Sequence, residues 1–125
     1  MERAGVPIDG TLLSAFREAV RAKIRRDLRD EERSAEALQA RVVPLVRQEV
    51  EGARAEGVCR RAWLFGSFSW GRPTDHSDVD LLIEGDEEEV GARVASACRR
   101  EVHAVGFDRA PTALRERVLA EGTPV

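Results

Sequence analysis

Apolar side chains recur every four positions from Thr11 to about Arg33, at Leu12, Phe16, Val20, Ile24 and Leu28, joined by Leu13 and Ala19. That spacing predicts an amphipathic helix of several turns. Its charged face carries a basic stripe, Arg17, Arg21, Arg25 and Arg29, with acids nearby. Such a stripe is either a solvated face or a surface for a partner. Residues 1–10, with Gly5, Pro7 and Gly10, read as a lead-in that Asp9 or Thr11 caps. Ser34 reads as the N-cap of a second helix, whose apolar positions Leu38, Val42, Leu45, Val46, Val50 and Ala53 run to about Glu56. Pro44 interrupts that pattern and predicts a kink or break near Val43. Gly57 then suits a C-cap.

The pattern changes period after Gly57. Val58 to Phe65 predicts a strand, and Asp78 to Glu84 a second one. Phe68 to Gly71 reads as one helical turn whose N–H groups face a ligand, and 72–77 as a polar loop. Glu87-Glu88-Glu89 opens a helix where the dipole favours negative charge, and Arg99-Arg100 suits its end. Val102 to Phe107 predicts a third strand, with Glu101, His103, Val105 and Phe107 on one face. A last helix starts at Pro111 and ends at Gly122. The order α-α-β-β-α-β-α predicts an α/β (α+β) fold with a small sheet flanked by helices.

One stretch carries chemistry. The first strand delivers the chain into Gly66-Ser67, and ten residues later comes Asp78-Val79-Asp80 at the head of the second apolar run. Side chains at i and i+2 of a strand share a face, so Asp78 and Asp80 project together while Val79, Leu81 and Ile83 pack behind. Paired carboxylates repel unless a hard cation or solvent sits between them. A Gly-Ser turn offers backbone N–H groups and a hydroxyl suited to phosphate oxygens. Together these are the minimum equipment for metal-assisted phosphoryl or nucleotidyl transfer.

Composition narrows the class. A chain of 125 residues fits one compact domain. Its net charge of −3 argues against a strong nucleic-acid surface. Residues 1–62 carry 13 basic and 11 acidic side chains, and residues 63–125 carry 7 and 12. The half with the carboxylate pair is therefore the acidic half, which a bound divalent cation would offset. Cys59 and Cys98 lack metal-ligand spacing and read as small buried hydrophobes. No apolar run reaches the length of a membrane span and no signal-peptide pattern opens the chain, so a cytoplasmic location is expected.

With these residues in view, the chain resembles the minimal nucleotidyltransferases of the DNA polymerase beta-like superfamily. Gly66-Ser67, the spacer and Asp78-Val79-Asp80 meet that group's signature, and Trp63-Leu64-Phe65, Ser77 and Leu81-Leu82-Ile83 agree at its flanks. The closing stretch 109–122 also looks like the end of such domains. The resemblance covers roughly residues 35–122. It implies a minimal nucleotidyltransferase domain over 35–125 with a small mixed sheet, preceded by an N-terminal lead-in and helical extension over 1–34. It also implies transfer of a nucleoside monophosphate, AMP from ATP, to a protein or small acceptor. By the same resemblance, Gly66 and Ser67 hold the nucleoside triphosphate, and Asp78 and Asp80 bind Mg2+, with a two-metal site as one form. Minimal nucleotidyltransferases commonly accompany a helical toxin-like partner, so the chain is expected either to act as an antitoxin with such a partner or to self-associate.

The resemblance breaks at one position. Enzymes of this group carry a third carboxylate on the next strand, and counting back from Ala110-Pro111 places His103 there. Three readings stay open. His103 acts as the base, since histidine titrates near neutral pH; Glu101 reaches in instead; or the site binds nucleotide and metal without catalysing, leaving a protein-interaction module.

Overall fold

The computed structural model describes residues 10–125, so most of the expected lead-in, with its candidate cap Asp9, lies outside the described residues. Two compact units divide at Arg33/Ser34. The first contributes the N-terminal part of helix α1, Gly10–Ala55. The second contains the rest of α1, strand β1 (Cys59–Phe65), a short 3-10 turn (Gly66–Phe68), β2 (Val79–Gly85), α2 (Glu87–Cys98), β3 (Val102–Gly106), α3 (Thr112–Glu121) and β4 (Thr123–Pro124). The architecture is the expected mixed α/β one.

Helix α1 departs from the sequence expectation, because one helix replaces two. Ser34 caps nothing and sits in mid-helix, where serine costs only a few tenths of a kcal/mol relative to alanine. Pro44 is also inside the helix. A proline there costs about 3 kcal/mol, chiefly through one lost hydrogen bond and a clash with the preceding turn. Its ring lies on the exposed side, where water can serve the orphaned carbonyl, while Val42, Val46 and Val50 are buried on the other side. Full burial of each valine stabilises by about 1.5 kcal/mol or more, enough to hold the helix together.

The sheet order is β3-β2-β1-β4. β1 pairs antiparallel with β2 and with β4, and β2 pairs parallel with β3 across the α2 connection. Strand alternation divides the apolar residues between two faces. Cys59, Ala62, Leu64, Val79, Leu81 and Ile83 meet the α1 residues Val42, Val46 and Val50 and the α2 residues Val90 and Val94 in the main core. Trp63 and Leu82 meet Ala110 and Val118 on the other side, with Phe65, Trp70, Val105, Phe107 and Leu114 packed around them. Gly57 ends α1 at φ +77, as a C-cap glycine does. Asp86 caps α2 by accepting from the Glu89 N–H at 3.1 Å. The two-residue strand β4 has no sequence signal, since a Thr-Pro pair is too short to show alternation.

Candidate active site

The site forms where β1 leaves the sheet and β2 enters it. Phe65 pairs with Asp80 in the antiparallel register, and Asp80 pairs with His103 in the parallel one. Register therefore sets Phe65, Asp80 and His103 side by side at one end of three neighbouring strands, with Gly66 next in the chain. Asp80 lies on the Leu82 face, while Val79 and Leu81 anchor the strand in the main core. Asp78 stands one residue before β2 rather than inside it.

Gly66 adopts φ +73, a left-handed conformation that glycine accepts without a side-chain penalty. A Cβ there would collide with the Asp80 carboxylate oxygen and stand 3.3 Å from its Cγ. The same conformation aims the Gly66 carbonyl into the turn, where it accepts from the N–H groups of Ser69, Trp70 and Gly71 at 3.0, 3.0 and 3.2 Å. Those three N–H groups are spent within the protein, so the expectation that the Phe68–Gly71 turn offers them to a ligand is corrected. Gly71 closes the turn, because a Cβ on it would stand 3.0 Å from the Ser67 Cα. Buried Phe68 and the Ser69–Thr123 hydroxyl contact at 2.8 Å pin the turn from below and from β4.

The loop into β2 is fixed by its own polar groups. The Thr74 N–H donates to Ser77 Oγ at 2.8 Å, and the Ser77 N–H returns to the Thr74 carbonyl at 3.0 Å. Arg100, read from sequence only as a helix-end charge, closes it from outside. Its Nη1 donates to the carbonyls of Asp75 and Ser77 at 3.0 and 3.1 Å and to that of Thr74 at 3.4 Å, and its guanidinium lies over the Phe68 ring. One side chain thus ties the α2 end, the Gly66 turn and the residue before Asp78 together.

His103 meets both aspartates. Its Nδ1 is 3.4 Å from Asp80 Oδ1 and its Nε2 is 3.7 Å from Asp78 Oδ2. Burial pushes the Asp80 carboxyl above the usual carboxylate range; His103 opposes that shift and the Asp78 charge adds to it. Glu101 contributes through its backbone, its carbonyl accepting the Val79 N–H at 3.0 Å, and its side chain is exposed just ahead of β3. The structure therefore brings together Gly66, Asp78, Asp80 and His103, with Ser67 next to Gly66, and leaves Glu101 at the margin.

Among the described residues, no cluster of three or more His, Cys, Asp or Glu is arranged to hold a metal ion. The fit to a divalent cation rests on the carboxylate pair alone. Asp78 and Asp80 flank the same imidazole, and a raised Asp80 carboxyl beside a second acid is a place where added positive charge relieves repulsion. Two oxygen donors of that kind suit a hard cation that keeps its remaining positions for water and phosphate.

A family model described as "Polymerase beta, Nucleotidyltransferase" matches residues 53–125, more than half of the chain, and takes in the Gly66 turn, both aspartates and His103. The chain belongs to this nucleotidyltransferase family. Among solved structures, one described as a candidate minimal nucleotidyltransferase is 27% identical with a TM-score of 0.57, covering 74% of this chain and 96% of that one. A variant of the toxin–antitoxin complex MntA-HpeT is 26% identical with a TM-score of 0.51, covering 63% and 69%. A toxin–antitoxin structure with AMP-PNP is 24% identical with a TM-score of 0.50 over 69% and 70%, and supports the fold. No protein with a curated description matches. This nucleotidyltransferase has, among its described residues, no helix long and apolar enough to cross a membrane.

Proposed function

We propose that this chain transfers a nucleoside monophosphate, AMP from ATP, to a hydroxyl of a protein or small acceptor, and that it serves as the antitoxin of a toxin–antitoxin pair. The observation that carries the reading is the gathering of Gly66, Asp78 and Asp80 at one end of the central strands within a nucleotidyltransferase domain. The domain is assigned to residues 35–125, with 1–34 as an addition. The likeness to a toxin–antitoxin complex at 26% identity supports the pairing role.

In this reading the Gly66-Ser67 turn holds the triphosphate beside the Asp80 carboxylate, which fills the space a Cβ on Gly66 would need. Asp78 and Asp80 would hold Mg2+, whose charge, when bound, stabilises the transferring phosphoryl group and the departing pyrophosphate. The acceptor oxygen attacks the α-phosphorus, the bond to the bridging oxygen of the β-phosphate breaks, and pyrophosphate leaves. The acceptor proton passes to His103, which stands in the register position beside Asp80.

A second reading is favoured by one observation. His103 already contacts both carboxylates through its two ring nitrogens. In that case the site binds nucleotide and metal weakly, and the protein neutralises its partner by binding. The separating experiment incubates the protein with α-32P-ATP, Mg2+ and the product of the neighbouring gene. Label on that product, lost in Asp78→Asn, supports transfer; a stable complex without label supports the second reading, and neither result sinks both.

A further inference from the structure

We infer that the N-terminal segment of α1 is a docking face for a helical protein partner presenting an apolar ridge with carboxylates along one edge. This goes beyond the nucleotidyl-transfer reading and does not depend on the Asp78–Asp80 site. Phe16, Val20, Ile24 and Leu28 are 65%, 42%, 52% and 47% exposed. They stand on successive turns of one helix face, an apolar row about 18 Å long. Isolated surface apolar residues need no explanation, but a continuous row does. A strict four-residue ridge packs best into the groove of another helix, and it lacks the 3.5-residue repeat of a long coiled coil.

Charge selects among occupants. Arg17, Arg21, Arg25 and Arg29 each follow an apolar residue of the row directly, so they lie about 100° round the helix and border it. Arg21 pairs with Glu18 at 3.4 Å, whereas Arg17, Arg25 and Arg29 make no ion pair with a described residue. The other border is internally balanced, since Lys23 binds Asp27 at 2.8 Å. A complementary partner therefore carries acids along one edge. A second copy packed antiparallel would set the arginine rows against each other. An anionic lipid surface fits poorly too, because Asp27 and Glu31 adjoin the same row and residues 10–33 carry seven basic and five acidic side chains.

The full chain is titrated with two synthetic helical peptides of about 24 residues, a length of several turns. Both carry leucine at every fourth position; one has glutamate and the other lysine along one edge. The glutamate peptide is expected to bind at least about tenfold more tightly, with an affinity that falls as salt rises. Phe16→Ser with Ile24→Ser abolishes binding. R17E/R21E/R25E/R29E reverses the preference, a gain that a misfolded variant would not show. ATP binding measured on the same samples stays unchanged, separating this result from the fate of the active-site reading. Equal affinity for the two peptides, no binding of either, sedimentation as a dimer abolished by Phe16→Ser, or capture by phosphatidylglycerol vesicles would each overturn the proposal.

Discussion

The carboxylate of Asp80 occupies the space that a β-carbon on Gly66 would need, so one glycine serves both the turn and the acid. Two demands meet at that atom: φ +73 disfavours any L side chain, and Asp80 blocks one sterically. Gly66→Ala should therefore lower the melting temperature by about 5 °C or more, since the left-handed backbone alone costs about 1–2 kcal/mol. Gly52→Ala is the control, because its Cβ meets nothing within 4 Å and it lies inside α1. Differential scanning fluorimetry of the two variants checks this. In the transfer reading, Gly66→Ala also loses ATP binding and Gly52→Ala keeps it.

Asp80 should destabilise the fold in the absence of a cation. Its carboxyl is raised by burial, so the folded state holds a proton more readily than the unfolded chain does. For a raised group the favourable contribution is present below the unfolded pKa and disappears as pH rises through the folded one. Asp80→Asn is thus expected to raise the melting temperature at pH 7 by about 2–4 °C. That gain should shrink as pH falls through the raised Asp80 value, where the wild-type acid is itself neutral. A gain that grows on acidification would show that another group dominates. Mg2+ should stabilise the wild type and leave the asparagine variant unmoved.

His103→Asp tests what the histidine does. If the third position of the site needs a carboxylate, this variant raises transfer of label from ATP by about a hundredfold over the wild type. If His103 is already the base, transfer falls instead. His103→Ala is the control: it removes the contacts to Asp78 and Asp80, which are 3.7 and 3.4 Å in the wild type, without adding an acid. Initial rates of label transfer for the three proteins give the answer.

Sequence pattern went furthest where one physical rule dominated. Apolar runs placed β1 and β2 within a residue of their observed bounds, and three glutamates marked the start of α2, whose cap Asp86 only the structure revealed. The juxtaposition of Gly66 and Asp80 was implied by two strands and a ten-residue spacer, but their shared atom-sized space was not. Helix α1 misled because Ser34 and Pro44 are local signals, and burial of Val42, Val46 and Val50 along one face overrides them. Arg100 was illegible for a different reason. Its acceptors lie 23 to 26 residues earlier in the chain, and they are backbone carbonyls, which no side-chain pattern reports.

Arg100 is therefore the residue whose loss should separate folding from site geometry. Its three carbonyl contacts and its place over Phe68 hold the 74–77 loop against the Gly66 turn. A hydrogen bond from a charged donor contributes about 1.5–3 kcal/mol when shielded, but two of these three are exposed and one is partly buried, so the set contributes toward the low end. Arg100→Ala should lower the melting temperature by a few degrees, while amide exchange in residues 74–78 accelerates far more than in β1 or α2. Arg100→Lys keeps the charge but loses the flat guanidinium that lies over Phe68, so it should recover little of the loop protection. Uniform acceleration across the domain in both variants would mean that Arg100 supports the fold as a whole. Acceleration confined to the loop, with weaker Mg2+-dependent ATP binding, would show that it positions Asp78 for its cation.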